Sequence, residues 1–162
     1  IQVDEPVFAR KPNEALTYGF EDLERTFYGL PSEVTRVVHM CCGYPNSLDS
    51  EGYKKADKDS YFQIADAIED SSIEEVSIED AHRHNELSLL EKFSTTKVIL
   101  GVVDIARSRL ESIDEVRDRL STALEHIDKE RLIVAPDCGL GFFNREQAVA
   151  KMKVMSKAAQ SL

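Results

Sequence analysis

The sequence predicts an α/β fold built on a parallel β-sheet. Runs rich in valine and isoleucine alternate with longer stretches of helical periodicity, which is the pattern of βαβ units. Residues 98–103 form a continuous apolar run, as is typical of a strand that is buried on both faces. These elements fit either a doubly wound sheet or part of an eight-stranded barrel. A complete barrel needs at least roughly 200 residues, and this chain has 162.

The predicted strands and helices follow one another along the chain. We expect about five parallel strands, at 1–4, 35–40, 75–79, 97–104 and 131–135. Three helices are expected between them, at 20–28, 60–70 and 85–93. Residues 51–59 are mainly charged and polar, and this composition predicts a solvated loop.

Two further helices have clear amino-terminal signals. Ser112 is followed three residues later by Glu115, the pattern of a capping box, and apolar residues then recur at helical spacing as far as Ile127. Asn144 is the predicted N-cap of the last helix. The methionines of that helix recur on one stripe, and we assign them to core packing.

Composition and charge exclude two classes of partner. The formal net charge of −10 argues against nucleic acid, because phosphate binding needs clustered lysine and arginine. No apolar run approaches the roughly 20 residues of a membrane span, and no signal peptide is recognisable. The three cysteines form an odd set with two adjacent members. Such a set argues against a disulfide framework and favours a cytoplasmic protein with metal-binding or reactive thiols.

The chain opens with Ile1 directly in a predicted strand, without a methionine. We therefore expect residues 1–162 to be a single domain that lacks its amino-terminal portion. A sheet with open edges tends to pair with further strands. We expect these edges to be covered by the missing amino-terminal part of the domain or by a second copy of the chain.

Metal-ligating side chains lie at the ends of three predicted strands. His39 and Cys41 end the second strand, Glu79 ends the third, and Cys138 follows the fifth. The carboxyl ends of neighbouring parallel strands share one rim, and period-two alternation puts His39 and Cys41 on the same side of their strand. One histidine, two thiolates and one carboxylate are a suitable donor set for tetrahedral zinc. The alternative is a buried histidine and buried thiols that meet by chance; Cys138 favours the metal.

A dense polar cluster follows Glu79 and includes His82 and His84. Such a cluster after a buried strand is typical of an active-site loop. Either histidine is a candidate partner of the metal ligands, contact for a substrate or proton donor in catalysis. The alternative is that one or both are simply exposed to solvent.

Five segments of the chain together resemble one family in their order. They are residues 1–6 (Ile-Gln-Val-Asp-Glu-Pro), 39–41 (His-Met-Cys), 77–79 (Ser-Ile-Glu), 101–105 (Gly-Val-Val-Asp-Ile) and 136–140 (Pro-Asp-Cys-Gly-Leu). The chain resembles the C-terminal catalytic barrel of cobalamin-independent methionine synthase and its relatives. Those relatives include zinc-dependent thiol alkyltransferases such as epoxyalkane:coenzyme M transferase. The resemblance covers essentially the whole chain and implies the C-terminal portion of a zinc-bearing (β/α)8 barrel.

The resemblance also implies a reaction and its site residues. The reaction is transfer of a methyl group to a small-molecule thiol, with homocysteine as the thiol and a 5-methyltetrahydrofolate-type methyl donor. The zinc ligands carry over to His39, Cys41, Glu79 and Cys138, and Glu79 is the ligand expected to yield its place to the thiol. Asp4 carries over as a contact with the amino group of homocysteine. We expect the chain alone, without the rest of the barrel, to be inactive.

Two positions depart from the family pattern. The family's methionine synthases have a proton-donating histidine where this chain has Ala106, and an acidic residue where it has Arg10. These departures favour a related zinc-dependent alkyltransferase that uses another thiol, similar to coenzyme M. A non-catalytic zinc-binding protein is a further alternative, which a closed metal site without an open position would support.

Overall fold

A parallel sheet of five strands forms the centre of the chain. The structure is a computed structural model that describes all residues, 1–162. The strands lie side by side in chain order, and each neighbouring pair is parallel. They are β1 (Gln2–Glu5), β2 (Val37–Met40), β3 (Glu75–Glu79), β4 (Lys97–Val103) and β5 (Leu132–Pro136). A doubly wound sheet reverses its strand order at a switch point. The uninterrupted order confirms the predicted part of a (β/α)8 barrel.

Helical segments connect successive strands, and none of them is both long and apolar enough to cross a membrane. They are α1 (Pro12–Glu14), a π-helical turn (Ala15–Gly19), α2 (Phe20–Phe27), α3 (Ser60–Glu69), a 3-10 helix (Leu87–Lys92), α4 (Ile113–Ala123), a 3-10 turn (Lys129–Arg131) and α5 (Arg145–Gln160). Both predicted caps are present, because Ser112 and Asn144 close complete capping boxes on α4 and α5.

One face of the sheet is apolar and packs against the helices. Its residues are at most 1% exposed: Val38, Met40, Val76, Ile78, Val98 and Leu100. Ile64 of α3, Leu120 of α4 and Ala158 of α5 join them in a core of 30 buried residues. Burying each methylene contributes roughly 0.8 kcal/mol, so this face holds the layers together and leaves the opposite face free for chemistry.

The opposite face carries polar side chains in register. Asp4 lies beside His39, and His39 lies beside Ser77. One step further along the strands, Glu79 lies beside Gly101. Because side chains alternate between the two faces of a strand, residues paired in this way form rows across the face that points away from the helices.

Two predicted helices are shorter than expected. The predicted helix 85–93 is a 3-10 helix, Leu87–Lys92. Asn85 does not begin it, because its side-chain amide donates to the carbonyl of Glu79 and its backbone N–H donates to Asp80. The helix after Ser112 ends at Ala123, and Ile127 reaches the core from the turn that follows. The first helical segment instead begins earlier than predicted, at Pro12.

The assignment of the α5 methionines to the core is correct for only one of them. Met155 is 6% exposed, whereas Met152 is 42% exposed. The buried stripe of α5 is Lys151, Met155 and Ala158, at i, i+4 and i+7. Met152 lies one residue, and so about 100°, away from the start of that stripe.

The polar segment 51–59 is only partly a solvated loop. Ala56 is 6% exposed, and its N–H donates to the carbonyl of Cys42 over 2.9 Å. This bond ties the middle of the segment to the end of β2 and directs the neighbouring Lys55 toward Glu79, 2.5 Å away. The segment therefore forms part of the rim.

Candidate metal centre

His39, Cys41 and Cys138 converge at the carboxyl ends of the strands. Their ligand atoms all lie within 4.8 Å of one another. His39 is on β2 and Cys41 follows it, whereas Cys138 comes two residues after β5. Three strand spacings in a flat sheet amount to roughly 14 Å. The curvature of the barrel segment is therefore what brings the carboxyl ends of β2 and β5 together.

The His39 imidazole is oriented by a neighbouring strand. It is 5% exposed, and its Nδ1 lies 2.9 Å from the Ser77 hydroxyl on β3. Its Nε2 is buried and has no hydrogen-bond partner. A buried imidazole nitrogen without a partner is costly. A histidine whose other nitrogen is held by a hydrogen bond is the usual arrangement of a metal ligand, so the site fits a metal.

The two thiols influence each other's ionisation. The neighbouring Cys41 thiol lowers the pKa of Cys138 below its ordinary value, although burial acts in the opposite direction. The same contact with Cys138, together with burial, raises the pKa of Cys41. Burial alone would lower the pKa of His39, but Cys41 and the carboxylates of Glu79 and Asp4 raise it. Two sulfur donors and one nitrogen donor form a soft set that suits zinc.

Glu79 lies beside the cluster and is held by other groups. Its side chain is fully buried, and its Oε1 accepts the backbone N–H of Cys42 over 2.8 Å. Its Oε2 lies 2.5 Å from the Lys55 ammonium and 3.3 Å from Nδ1 of His82. The ligand atoms of Glu79, His82 and Asp137 form a second group within 4.8 Å of one another. The role of Glu79 as fourth metal ligand remains a prediction.

Asp137 fixes the loop that follows β3. It is fully buried; its Oδ1 accepts the N–H groups of Asp80 and Ala81, and its Oδ2 accepts the N–H of His82. Nδ1 of His82 also lies 2.8 Å from that Oδ2. A Cβ at residue 101 would lie 2.5 Å from Oδ1 of Asp137, so this close approach requires Gly101.

The two candidate histidines differ in their surroundings. His82 is held between Asp137 and Glu79, and its Nε2 is buried without a partner. It lines a cavity of about 240 Å³ together with Tyr53 and Ala106. His84 is exposed and lies outside this cavity. Of the two histidines, only His82 therefore contacts carboxylates at the carboxyl ends of the strands.

Asp4 lies on the edge strand β1, next to the cluster. It is exposed, and its carboxylate accepts a hydrogen bond from the Gln2 amide over 2.6 Å. It is paired with His39 in register and is among the charges that raise the pKa of that histidine. The Asp4 carboxylate is therefore accessible to a substrate that binds beside the thiols.

The sequence reasoning gave no role to several residues that support the site. Tyr61 of α3 donates its hydroxyl hydrogen to the carbonyl of Met40 over 2.7 Å and accepts the N–H of Glu79 over 3.1 Å. Burial raises the pKa of Tyr61 well above its ordinary value, so its hydroxyl stays protonated. Asp137 precedes Cys138 in the sequence, but its hydrogen-bond partners lie in the loop after β3 and could not be predicted from that position. No sequence pattern distinguishes Lys55 from the neighbouring lysines.

Comparison with known proteins identifies the family of this chain. The family model of the catalytic domain of cobalamin-independent synthase matches residues 1–161. The chain belongs to this family. Methionine synthase of Thermococcus kodakarensis is 30% identical to it over 161 residues, which are 99% of this chain and 42% of that protein. The 5-methyltetrahydropteroyltriglutamate–homocysteine methyltransferase of Bacillus velezensis is 31% identical over 169 residues, covering 99% of this chain and 20% of that protein.

A solved structure of the family resembles the chain over nearly its whole length. The B12-independent methionine synthase from Shewanella sp., in complex with selenomethionine, has a TM-score of 0.86 and 28% identity. The match covers 99% of this chain and 47% of that chain. This member of the cobalamin-independent synthase family therefore spans less than half the length of these relatives.

Proposed function

We propose that this chain carries the zinc site of an enzyme that transfers a methyl group to a thiol. The thiol is homocysteine, which gives methionine, and the donor is of the 5-methyltetrahydrofolate type. The observation that carries the proposal is the convergence of His39, Cys41 and Cys138 within 4.8 Å, in a member of the cobalamin-independent synthase family. The complete natural protein is the form expected to be active.

Zinc is the group that this donor set suits best, with His39, Cys41 and Cys138 as ligands and Glu79 as the fourth. Zinc, when bound, supplies an acidified site at which a substrate thiol loses its proton and becomes a nucleophile. Lys55 and the N–H of Cys42 give the Glu79 carboxylate a stable position beside the cluster. Glu79 can thus yield to the thiol without becoming a buried, unpaired charge.

Asp4 and His82 take the remaining roles in this proposal. The carboxylate of Asp4 attracts the amino group of the thiol substrate at the edge of the cluster. His82 is assigned as the proton donor to the leaving group, because it lines the cavity at the rim and its Nε2 makes no hydrogen bond, whereas its Nδ1 faces Asp137 and Glu79. It replaces, from a different loop, the proton donor that Ala106 cannot supply. His84 is exposed and has no such support.

Cysteine variants of the complete protein test the zinc site. Cys138→Ser is expected to lose stoichiometric zinc and thiol methylation together, because it removes one of two sulfur donors. Cys42→Ser is the matched control, since Cys42 is buried next to Cys41 but its Sγ bonds to Tyr61, 3.0 Å away. Full zinc retention in Cys138→Ser would contradict the proposal, as would equal loss in both variants.

The role of His82 is tested by changing the leaving group of the donor. General acid catalysis contributes typically 10²–10⁴-fold. We expect His82→Gln to slow transfer from a methyl-folate donor by about 100-fold, and to leave transfer from methyl iodide nearly unchanged because iodide needs no proton. His84→Gln is the control. Equal slowing with both donors would mean that His82 has a structural role and does not donate a proton.

A related alkyltransferase acting on another thiol is the second candidate. Ala106 is 2% exposed and has no ionisable group, and Arg10 brings positive charge where the family has an acidic residue. Both features concern the substrates and leave the zinc ligands intact. The thiol that the complete protein alkylates fastest distinguishes the two candidates.

A further inference from the structure

A positively charged cavity lies beside the metal centre. It has a volume of about 350 Å³ and is lined by Arg10, Lys11, Lys54, Lys55, Ala56 and Asp57. Four cations and one carboxylate line it, although the chain as a whole has a net charge of −10. A concave surface of one charge sign concentrates ligands of the opposite sign, and a volume of about 300 Å³ or more suits a small molecule.

Both walls of this cavity are anchored to the fold. Ala9, which precedes Arg10, is completely buried, and the N–H of Arg10 donates to the carbonyl of Val7 over 2.9 Å. On the other wall, the backbone of Ala56 donates to Cys42 over 2.9 Å and accepts from Arg83 over 2.8 Å. The cations therefore project from fixed backbone, which lowers the entropic cost of binding a ligand.

Gly43 allows the two walls to meet next to the metal ligands. Its φ is +143°, and a Cβ there would lie 2.6 Å from the carbonyl oxygen of Lys54 and 3.1 Å from Nη2 of Arg10. Gly43 is two residues after Cys41, and Lys55 also contacts Glu79. The cavity and the thiol cluster are thus connected through Lys55, which lines the cavity and contacts Glu79.

Two of the four cations have no partner of opposite charge. Neither Arg10 nor Lys54 has a carboxylate within 4.0 Å, whereas Lys11 lies 3.6 Å from Glu14 and Lys55 lies 2.5 Å from Glu79. A guanidinium presents several donors in one plane, which matches the oxygens of an acidic group. Arg10 and Lys54 are therefore the pair available to an anion.

We propose that this cavity binds the acidic group of a substrate whose reacting end lies at the cysteine cluster. The group is a sulfonate, carboxylate or phosphonate, and the thiol acceptor is the substrate that carries it; the methyl or alkyl donor is the other possible source. The proposal rests on the proposed function for the reaction at the thiols. It adds a specificity site, formed by Arg10 and Lys54, for negative charge.

Three thiols of equal length test the preference in the zinc-loaded complete protein. They are 2-mercaptoethanesulfonate, 2-mercaptoethanol and 2-mercaptoethylamine, which end in a negative, a neutral and a positive group. Calorimetric titration should give a Kd for the sulfonate about tenfold below that of the neutral thiol. The amine is the control for Asp4, whose carboxylate is proposed to attract an amino group, so its Kd reports on Asp4 and not on the cavity. Equal Kd values for the sulfonate and the neutral thiol overturn the assignment of the cavity to the thiol.

Variants connect that preference to the cavity. Arg10→Ser and Lys54→Ser should each raise the Kd of 2-mercaptoethanesulfonate about tenfold and leave that of 2-mercaptoethanol unchanged. Lys58→Ser is the matched control, because Lys58 is an exposed lysine of the same segment that does not line the cavity. If all three variants raise the Kd equally, the preference comes from the general charge of the surface, and the proposal is overturned.

Two further probes show whether the thiol or the donor carries the acidic group. They also distinguish a failure of the cavity proposal from a failure of the proposed function. Faster alkylation by iodoacetate than by iodoacetamide, with 2-mercaptoethanol as acceptor, would assign the cavity to the donor. If no thiol binds, titration with ethanesulfonate decides the matter, because it has the anion but no thiol. If ethanesulfonate binds and Arg10→Ser weakens that binding, the anion site stands even though the proposed thiol reaction does not. If ethanesulfonate does not bind, the anion site is overturned as well.

Discussion

Carboxylates at the amino ends of the strands differ in their partners from those at the carboxyl ends. At the amino ends of the strands, Glu69 accepts hydrogen bonds from the backbone and hydroxyls of residues 94–96, and Glu74 pairs with Arg36. At the carboxyl ends, Glu79 and Asp137 hold Lys55 and His82 next to two thiols. The first set connects loops to one another, whereas the second also orients the side chains that we propose to bind metal or to carry protons.

This difference follows from the direction of the strands. In barrels of this kind the loops after the carboxyl ends carry the chemistry, and the opposite end contributes to stability. Changes at the carboxyl-terminal rim should therefore affect both folding and zinc binding. Changes at the amino-terminal end should affect folding alone. Three substitutions test this contrast, in order of decreasing effect.

Asp137→Ala is expected to have the largest effect. It removes the acceptor of three backbone N–H groups and of His82, all of them buried or half-buried. Leaving such donors unpaired should lower the free energy of unfolding by about 3–5 kcal/mol, and zinc content should fall because Cys138 is adjacent. Chemical denaturation and metal analysis measure the two effects. Asp118→Ala, on the surface of α4, is the control; a loss below about 1 kcal/mol for Asp137→Ala would contradict the account.

Gly101→Ala should have an intermediate effect. The added methyl would lie 2.5 Å from Oδ1 of Asp137 and 3.1 Å from the carbonyl oxygen of Ile78, so the rim must shift. Overpacking of this kind costs about 1–3 kcal/mol, and zinc affinity should fall with it. Gly139→Ala is the matched control, because a Cβ there meets no atom within 4 Å. Equal stability of the two variants by denaturation would show that Asp137 moves freely.

Glu69→Gln should have the smallest effect and leave zinc content unchanged. Burial alone would raise the pKa of Glu69, but hydrogen bonds from Ser94, Thr95 and Thr96 lower it to about 2 from an ordinary value of 4.5. Ionised Glu69 therefore stabilises the fold fully above pH 4.5, and this contribution disappears as the pH falls toward 2. We expect a loss of about 1 kcal/mol at pH 7.

The pH dependence of unfolding provides a control for the Glu69→Gln prediction. Unfolding curves of the wild type and Glu69→Gln should converge as the pH falls from 4.5 to about 2. A difference that stays constant across this range would mean that the charge of Glu69 contributes nothing. A loss of zinc in this variant would contradict the separation of the two ends of the sheet.

Local sequence patterns predicted much of this fold because the relevant interactions are local. The caps at Ser112 and Asn144 act within one helical turn, and alternation along β2 places His39 and Cys41 on one side. Chain order alone then predicted that Cys138 would reach them. These features depend on backbone geometry that the residues themselves dictate.

Contacts between distant segments could not be predicted in the same way. Lys55 reaches Glu79 only because Ala56 is anchored to Cys42, and no local pattern marks that hydrogen bond. Asp137 bonds to a loop more than 50 residues earlier in the chain. Its requirement for Gly101 comes from close approach between strands. Such roles depend on tertiary packing, which periodicity does not encode.

We propose above all that two thiols and one imidazole of this rim bind zinc. X-ray absorption at the zinc edge of the complete protein measures this directly. We expect one zinc per chain, with two sulfur ligands at about 2.3 Å and nitrogen or oxygen ligands at about 2.0–2.2 Å. In Cys138→Ser we expect less than one zinc per chain, and any zinc that remains should have one sulfur ligand fewer. A spectrum with only nitrogen and oxygen ligands, or one that Cys138→Ser leaves unchanged, would contradict this proposal.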